Sequence, residues 1–387
     1  MILLAVCLFA MVAACIPAVM LLMNMAIFRP PPAAPRLDAE APRPGVSLLI
    51  PARNEAASIE RCLEAALAST GVDLEIVVLD DASTDGTAAI VQRLSAEDDR
   101  LRLVRNHELP DGWCGKQHAC FKLAENATRP NLAWIDADVT LAPDALARML
   151  AFRAAADIDL VSAFPKQKTH TLAEAMVVPL INFLLVGYLP MAMMRASRSD
   201  ARFAVGCGQF MLADGDAYFA VGGHGHPDVR LSLHDGMTLP RAFRTAGRTT
   251  DIADGKAVAT CRMYDSWSTV WNGFLKNATE GMATPVGIVV WTVLLGAAHV
   301  MPWALALGGF TGLIELNPLA ASAVAASCIM TAAYSVAIAT WFRQGVLSAI
   351  VRPAGVVMLL AIQWVAIGRK SLGYAPAWRG RSVASTS

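Results

Sequence analysis

Charge is segregated along this chain of 387 residues. Residues 1–28 carry no Asp, Glu, Lys or Arg, and residues 285–342 carry only Glu315. A helix needs about 20 apolar residues to cross a bilayer core, and both stretches are long enough. Residues 29–284 hold most of the charged side chains and read as a water-soluble domain. The totals agree: 55% of residues are hydrophobic and 17% charged, against about 25% charged in soluble domains. Lys plus Arg and Asp plus Glu both number 32. A nucleic-acid binder would show a basic excess, and a disordered chain would combine low hydrophobicity with high net charge. Both classes are excluded.

Residues 2–28 predict a first span, with Pro17 tolerated as a kink. A signal peptide would have a basic n-region. No Lys or Arg precedes Arg29, so an uncleaved anchor is the preferred reading. Arg29, Arg36 and Arg43 in the Pro-rich linker 29–44 place that side in the cytoplasm and the N-terminus outside. Residues 286–310 and 319–342 predict two further spans within a C-terminal membrane region, 285–368. The segment 346–367 is interrupted by Arg352-Pro353. A full crossing would put Arg369, Lys370, Arg379 and Arg381 of the basic tail 369–387 outside, whereas a re-entrant segment would keep them inside. The apolar run 172–194, with Glu174 its only charge, reads as an element lying in the interface or as a buried core helix. The expected location is the cytoplasmic membrane, with the domain 45–284 facing the cytoplasm.

The eight cysteines include no C-x-x-C pair, so neither a zinc nor a disulfide framework is implied. Asn126-Ala-Thr and Asn277-Ala-Thr match the glycosylation sequon, which short sequences reach by chance.

Within the soluble domain, apolar runs alternate with helical spacing. Strands are predicted at 46–50, 75–79, 101–104 and 132–135, and helices at 55–70, 87–94, 116–126 and 143–156. This alternation implies an α/β fold with parallel strands and right-handed crossovers. In such sheets ligands bind beyond the carboxyl ends of the strands.

Those ends are acidic. The second strand runs into Asp80-Asp81-Ala-Ser-Thr-Asp85-Gly86, where adjacent carboxylates are costly without a compensating donor or cation. Asp85 is explained as a helix cap; Asp81 is not. The fourth strand ends in Asp136-Ala-Asp138, hard oxygen ligands suited to Mg²⁺ or Mn²⁺. A solvated turn explains such a pair when it stands alone. Gly115-Lys116 opens a helix, and a helix N-terminus with a lysine suits phosphate; a solvated lysine is the plain alternative. His118 reads as a helix-surface histidine. Gly206-Cys-Gly208-Gln209 would let backbone approach a ligand closely. His234-Asp235 heads a helical pattern, so Asp235 is either a cap or a general base. Arg262, Tyr264, Trp267, Trp271 and Lys276 form an aromatic-basic run that fits a membrane interface or the floor of an acceptor site.

The ordered set Pro51-Ala-Arg53-Asn54-Glu55, Asp80-Asp81-Ala-Ser-Thr-Asp85, Asp136-Ala-Asp138 and His234-Asp235 resembles a family 2 glycosyltransferase over about residues 45–280. The resemblance implies a Rossmann-like GT-A nucleotide-diphospho-sugar transferase domain that inverts the anomeric centre. The elements Gly112-Trp113-Cys-Gly115-Lys116, Arg262-Met263-Tyr264 and Trp378-Arg-Gly-Arg381 are similar to membrane members associated with hopanoid and carotenoid pathways. By that resemblance, Pro51, Arg53, Glu55, Asp81, Lys116 and Asp136 would bind the donor, with Asp81 on the base, uracil in a UDP-sugar. Asp138 would bind Mg²⁺ or Mn²⁺, and Asp235 would deprotonate the acceptor. Gly208, Gln209, Arg262, Tyr264 and Trp271 are candidates for acceptor binding or gating. Two departures stand out: His234 replaces the usual acid before the catalytic Asp, and the Q-x-x-R-W motif of processive synthases is absent. The expected reaction is non-processive transfer to a hopanoid- or isoprenoid-type membrane lipid. The alternatives are a polyprenyl phosphate or other glycolipid acceptor, or a non-catalytic membrane scaffold of the same fold.

Overall fold

A computed structural model describes residues 1–34, 42–106 and 108–374, and the backbone alone of 377–378 and 381–382. Arg36 and Arg379 therefore lie outside the described residues, as do the side chains of Trp378 and Arg381. The chain divides into two compact units. A sheet unit comprises Arg29–Lys166 and Met193–Met263, and a helical unit comprises Met1–Phe28, Gln167–Ala192 and Tyr264–Tyr374. The first helical and strand boundaries follow the sequence reading. Residues 167–192, expected within the soluble block, belong to the helical unit.

The sheet unit is built on eight strands: β1 (Gly45–Ala52), β2 (Asp73–Asp81), β3 (Leu101–Asn106), β4 (Asn131–Ile135), β5 (Val139–Leu141), β6 (Leu160–Gln167), β7 (Phe210–Asp214) and β8 (Thr250–Cys261). Their order across the sheet is β3-β2-β1-β4-β7-β6-β8-β5. The half β3-β2-β1-β4 is parallel, as the alternation predicts. Beyond β4 the partners run antiparallel: β4 with β7, β7 with β6, and β8 with β5. Side chains alternate between two faces with period two. Val46, Leu48 and Ile50 enter one apolar layer with Ile59, Leu63 and Ala66 of the helix Ile59–Leu67. Leu49, Val77 and Leu79 enter the other, with Ala119 and Leu123 of the helix Gly115–Glu125. Both faces are covered, so the central strands read as unbroken apolar runs.

Among the described residues, the helical unit holds four helices long and apolar enough to cross a membrane: Ile2–Ile27, Gly287–Phe310, Pro318–Trp341 and Arg352–Ser371. Pro353 stands in the first turn of the last of these, where its missing N–H costs nothing. The Arg352-Pro353 interruption thus separates a short helix, Val346–Ile350, from a 20-residue one. The apolar run at 172–194 is not one continuous helix; it breaks into Leu172–Val177, Leu180–Tyr188 and the start of Met191–Ala196. Ala173, Val177, Leu180, Phe183 and Val186 are buried, so the core alternative describes this stretch. Its one charge has a local use: Glu174 accepts the backbone N–H groups of His170 (2.9 Å) and Thr171 (2.7 Å), and Thr171 returns its hydroxyl to the N–H of Glu174. Asn24 donates to the carbonyls of Val186 and Leu189 at 2.9 and 2.8 Å, satisfying carbonyls at a helix end.

One buried cation braces the antiparallel half of the sheet. Arg244, on the helix Asp235–Thr245, donates to Thr250 Oγ1 (2.6 Å), Thr250 O (2.8 Å), Ser197 O (3.0 Å) and Asp200 O (3.2 Å). Replacing it by Met would strand these acceptors. Arg244→Met is expected to lower unfolding free energy by about 3 kcal/mol, measured by denaturant titration of the full chain in detergent. An unchanged midpoint would contradict this bracing role.

Candidate active site

The acidic strand ends meet at the carboxyl edge of the parallel half. Past β1, Asn54 adopts a positive φ of 54°, and past β2 Ala82 does the same at 53°. Such backbone is costly for residues with a Cβ and persists only where the surroundings hold it. Here the two loops are stitched together. Asn54 N–H donates to Ser83 Oγ (2.9 Å) and Asn54 Oδ1 accepts the Thr84 N–H (2.8 Å). Glu55 N–H donates to Thr87 Oγ1 at 2.8 Å. Asp85 accepts the N–H groups of Ala56 (3.1 Å) and Thr87 (3.0 Å). Asp85 thus serves the first turn of Thr87–Ser95, while Gly86 occupies the cap position itself.

Asp81 is fully enclosed. Arg53 donates to its carbonyl and stands 3.7 Å from its carboxylate. Asn106, at the end of β3, donates to Asp81 Oδ1 at 3.1 Å. Behind it, His118 Nδ1 is 3.2 Å from Asn106 Nδ2, and the His118 ring meets that of Trp113 at 5.2 Å. His118 is a buried member of this chain of contacts, not the surface histidine expected of it.

The central feature is Lys116. It lies in the first turn of Gly115–Glu125, with Nζ 2.8 Å from Asp136 Oδ1 and 3.1 Å from Asp235 Oδ2. Asp136 leaves the end of β4, and Asp235 opens the helix Asp235–Thr245. Residues 116, 136 and 235 are thereby gathered at one point. Burial opposes ionisation of Asp235, but Lys116, His224 and His234 together hold its pKa below the ordinary carboxylate value. Burial likewise opposes the charge on Lys116, and Asp136 and Asp235 outweigh it, keeping the ammonium charged. Asp138 differs. Burial, then the charges of Asp136 and Glu55, push its pKa up to about 7.

Asp138 also supplies the fit test for a divalent ion. Its Oδ1 is enclosed without a hydrogen-bond partner among the described residues. A carboxylate raised by neighbouring acids, with an unused hard oxygen, suits Mg²⁺ or Mn²⁺. Asp138 and Asp136 fit such an ion.

The glycine stretch is explained by packing. A Cβ on Gly208 would lie 2.1 Å from Asp235 Oδ1, so only glycine lets β7 begin against that carboxylate. Next to it, Gln209 donates its side-chain amide to Cys261 Sγ at 3.1 Å, and its carbonyl accepts the N–H of Asp136 at 3.3 Å. Gly208 and Gln209 thus border the site from the antiparallel half. Pro51 is buried in β1 opposite Leu79, and Glu55 accepts from Ser58 at 3.0 Å. Arg262 is exposed in the sheet unit. Tyr264 and Trp271 belong to the helical unit, where Tyr264 packs on Phe274 at 5.8 Å.

Two residues beside Asp235 carry no sequence signal. Cys120 and His224 are buried, as Asp235 is, and the three bring one potential ligand atom each within 4.8 Å of the others. The hydrogen bonds suggest a different use. His224 N–H donates to Tyr218 Oη (3.0 Å), and the same hydroxyl lies 2.9 Å from His224 Nδ1. Nε2 of the ring is enclosed without a hydrogen-bond partner among the described residues. Burial, with Lys116 adding to it, lowers the His224 pKa to about 4, so the ring is neutral near pH 7. The Gly222-Gly223-His224 turn permits this contact, because a Cβ on Gly223 would meet the Tyr218 ring at 2.1 Å.

Residues 47–182 match the family model described as glycosyl transferase family 2. The chain carries a family 2 glycosyltransferase domain. The 4,4'-diaponeurosporenoate glycosyltransferases of Staphylococcus aureus strains MRSA252 and USA300 are each 25% identical to it over 240 residues. Those matches cover 61% of this chain and 61% of each relative's length. A mannosyltransferase from Pyrobaculum calidifontis, solved with GDP-Man and Mn²⁺, superposes with a TM-score of 0.56. It is 20% identical, over 94% of this chain and 99% of that one. This likeness places the family 2 domain in the mixed α/β GT-A-like fold expected from its motifs.

The steric role of Gly208 is directly testable. Gly208→Ala must displace either β7 or the Asp235 carboxylate, so any activity that uses Asp235 is expected to fall at least tenfold, with the protein still folded by circular dichroism. Unchanged turnover would show that the carboxylate position does not matter.

Proposed function

We propose that this chain transfers a sugar from a nucleotide-diphospho-sugar to a hopanoid- or isoprenoid-type membrane lipid, at the cytoplasmic face of the membrane and with inversion. The observation that carries this reading is the pairing of one half-buried lysine with both Asp136 and Asp235, with Asp138 two residues past Asp136. The donor would be a UDP-sugar, its base at Asp81, with Arg53 and Asn106 orienting that carboxylate. Support for a lipid acceptor comes from the named carotenoid-acid glycosyltransferases and from the four helices long enough to cross a membrane.

The chemistry is a single in-line displacement. The acceptor oxygen forms a bond to the anomeric carbon, the bond to the diphosphate oxygen breaks, and the acceptor proton passes to Asp235. Without donor, Lys116 neutralises Asp136 and Asp235 and suppresses the basicity of the latter. A diphosphate offers Lys116 a stronger anion, and its transfer to that group would release Asp235 to accept the proton. A divalent ion held by Asp138 and Asp136 would offset the charge developing on the leaving diphosphate. His224, with a ring nitrogen within 4.8 Å of the Asp235 carboxylate, would be its neighbour once Lys116 has moved. The absence of Q-x-x-R-W fits one transfer per acceptor.

Asp235→Asn is expected to retain donor binding within a few-fold in calorimetry and to lose at least 1000-fold in transfer, the scale of a lost general base and its charge. Normal turnover would sink the assignment. Asp138→Ala is expected to weaken donor binding in Mg²⁺ or Mn²⁺ to the level that wild type shows in EDTA, about 10–100-fold. A variant whose donor affinity still responds fully to the metal would remove Asp138 from the ion's ligands.

A further inference from the structure

The helical unit encloses a guanidinium that has nothing to pair with. Arg352 is 1% exposed, and its Nε, Nη1 and Nη2 are all enclosed without a hydrogen-bond partner among the described residues. An isolated cation in an apolar interior is among the most expensive features a helical membrane unit can carry. The Arg352 guanidinium lies over the ring of Phe183, 5.1 Å from Cζ. One cation–π contact is a weak substitute for a counter-ion. The buried acid of the same unit, Glu174, is committed to capping its own helix.

A second, independent irregularity lies against the same ring. The span Gly287–Phe310 loosens into a π-helical turn at Gly296–Val300, a distortion that recurs at functional sites. It carries His299, whose ring packs on Phe183 at 4.7 Å and on Tyr334 at 5.7 Å. His299 Nε2 is 2.8 Å from the Tyr188 hydroxyl, while its Nδ1 is enclosed and without a partner. If Tyr188 donates to Nε2, the ring proton sits on Nδ1 as a free donor. Tyr334 is turned away, donating to the carbonyl of Phe183 at 3.2 Å. Unused donors from two helices therefore surround one ring.

We propose that Arg352 and His299 bind the anionic headgroup, carboxylate or phosphate, of a membrane amphiphile. The planar fork of guanidinium donors matches two oxygens of either group. Arg352 also stands in the first turn of a 20-residue helix, whose free N–H groups and dipole favour an anion. The segment leading into it, Val346–Ile350, turns Val346 and Ile350 outward, 74% and 70% exposed, as a route from the lipid phase requires. The site belongs to the helical unit and stands whether or not Asp235 is the base of a transfer reaction.

The test uses the full-length protein in neutral detergent, with thermal unfolding read by intrinsic fluorescence. Oleate and dodecyl phosphate are expected to raise the wild-type midpoint, whereas oleyl alcohol is not. In Arg352→Met both shifts vanish and the midpoint without ligand equals or exceeds that of wild type, because an unpaired buried charge has been removed. Arg352→Lys keeps the charge but loses the fork, and is expected to bind at least tenfold more weakly. If the Met variant does not fold, Arg352→Gln carries the same comparison. Equal shifts in wild type and the Met or Gln variant would overturn the site. So would a lowered ligand-free midpoint in both variants, since the guanidinium would then be structural. A shift with inorganic phosphate alone, equal to that with dodecyl phosphate, would overturn the assignment to an amphiphile.

Discussion

One ammonium between two carboxylates organises the sheet unit. Lys116 reaches Asp136 and Asp235 from the first turn of its helix, and three separate elements must be in register for that to happen. β4 must end at Ile135, the helix Gly115–Glu125 must pack on the sheet through Ala119 and Leu123, and Asp235–Thr245 must abut the start of β7. Unpaired, each of these buried charges would be costly; together they are tolerable. The arrangement is also reactive. A cation that satisfies two anions can be drawn off by a third of higher charge, and a diphosphate is such an anion. On the proposed reading, donor binding and activation of Asp235 would be one event.

The same principle runs differently in the helical unit, where among the described residues Arg352 has no anion and His299 Nδ1, on the π-helical turn, has no partner. In the sheet unit the charges are satisfied internally and exchange partners with a ligand. In the helical unit the charge waits for one. Neither feature shows in the zero net charge of the chain, which sums charge over every residue.

The parallel half of the sheet was legible because its strands are short apolar runs closed by turn residues: Val46–Ile50 before Pro51, and Leu132–Ile135 before Asp136. Their acidic ends fall at the carboxyl edge, so Asp81, Asp136 and Asp138 followed from strand position alone. The antiparallel half was not legible. β7, from residues 210–214, inserts between β4 and β6, a pairing across some 80 positions that periodicity does not encode. The hidden parts of the site share this property. His224 reaches the neighbourhood of Asp235, and Tyr218 pairs with it, through a glycine turn with no recognisable pattern; His118 is enclosed between Asn106 of β3 and Trp113. Arg352-Pro353 looked like a break in a hydrophobic segment; it is a helix start, since proline is well placed in a first turn.

The central claim is that the gathered carboxylates move a sugar onto a lipid. The most direct measurement incubates the purified protein with a panel of radiolabelled nucleotide-diphospho-sugars and a total lipid extract, with Mg²⁺ or Mn²⁺ and with EDTA. The account predicts label in the lipid phase from one donor, present with the divalent ion and absent with EDTA. Folded protein that binds a nucleotide sugar yet leaves the lipid phase unlabelled with every donor would contradict it, and would leave a membrane scaffold with a transferase fold.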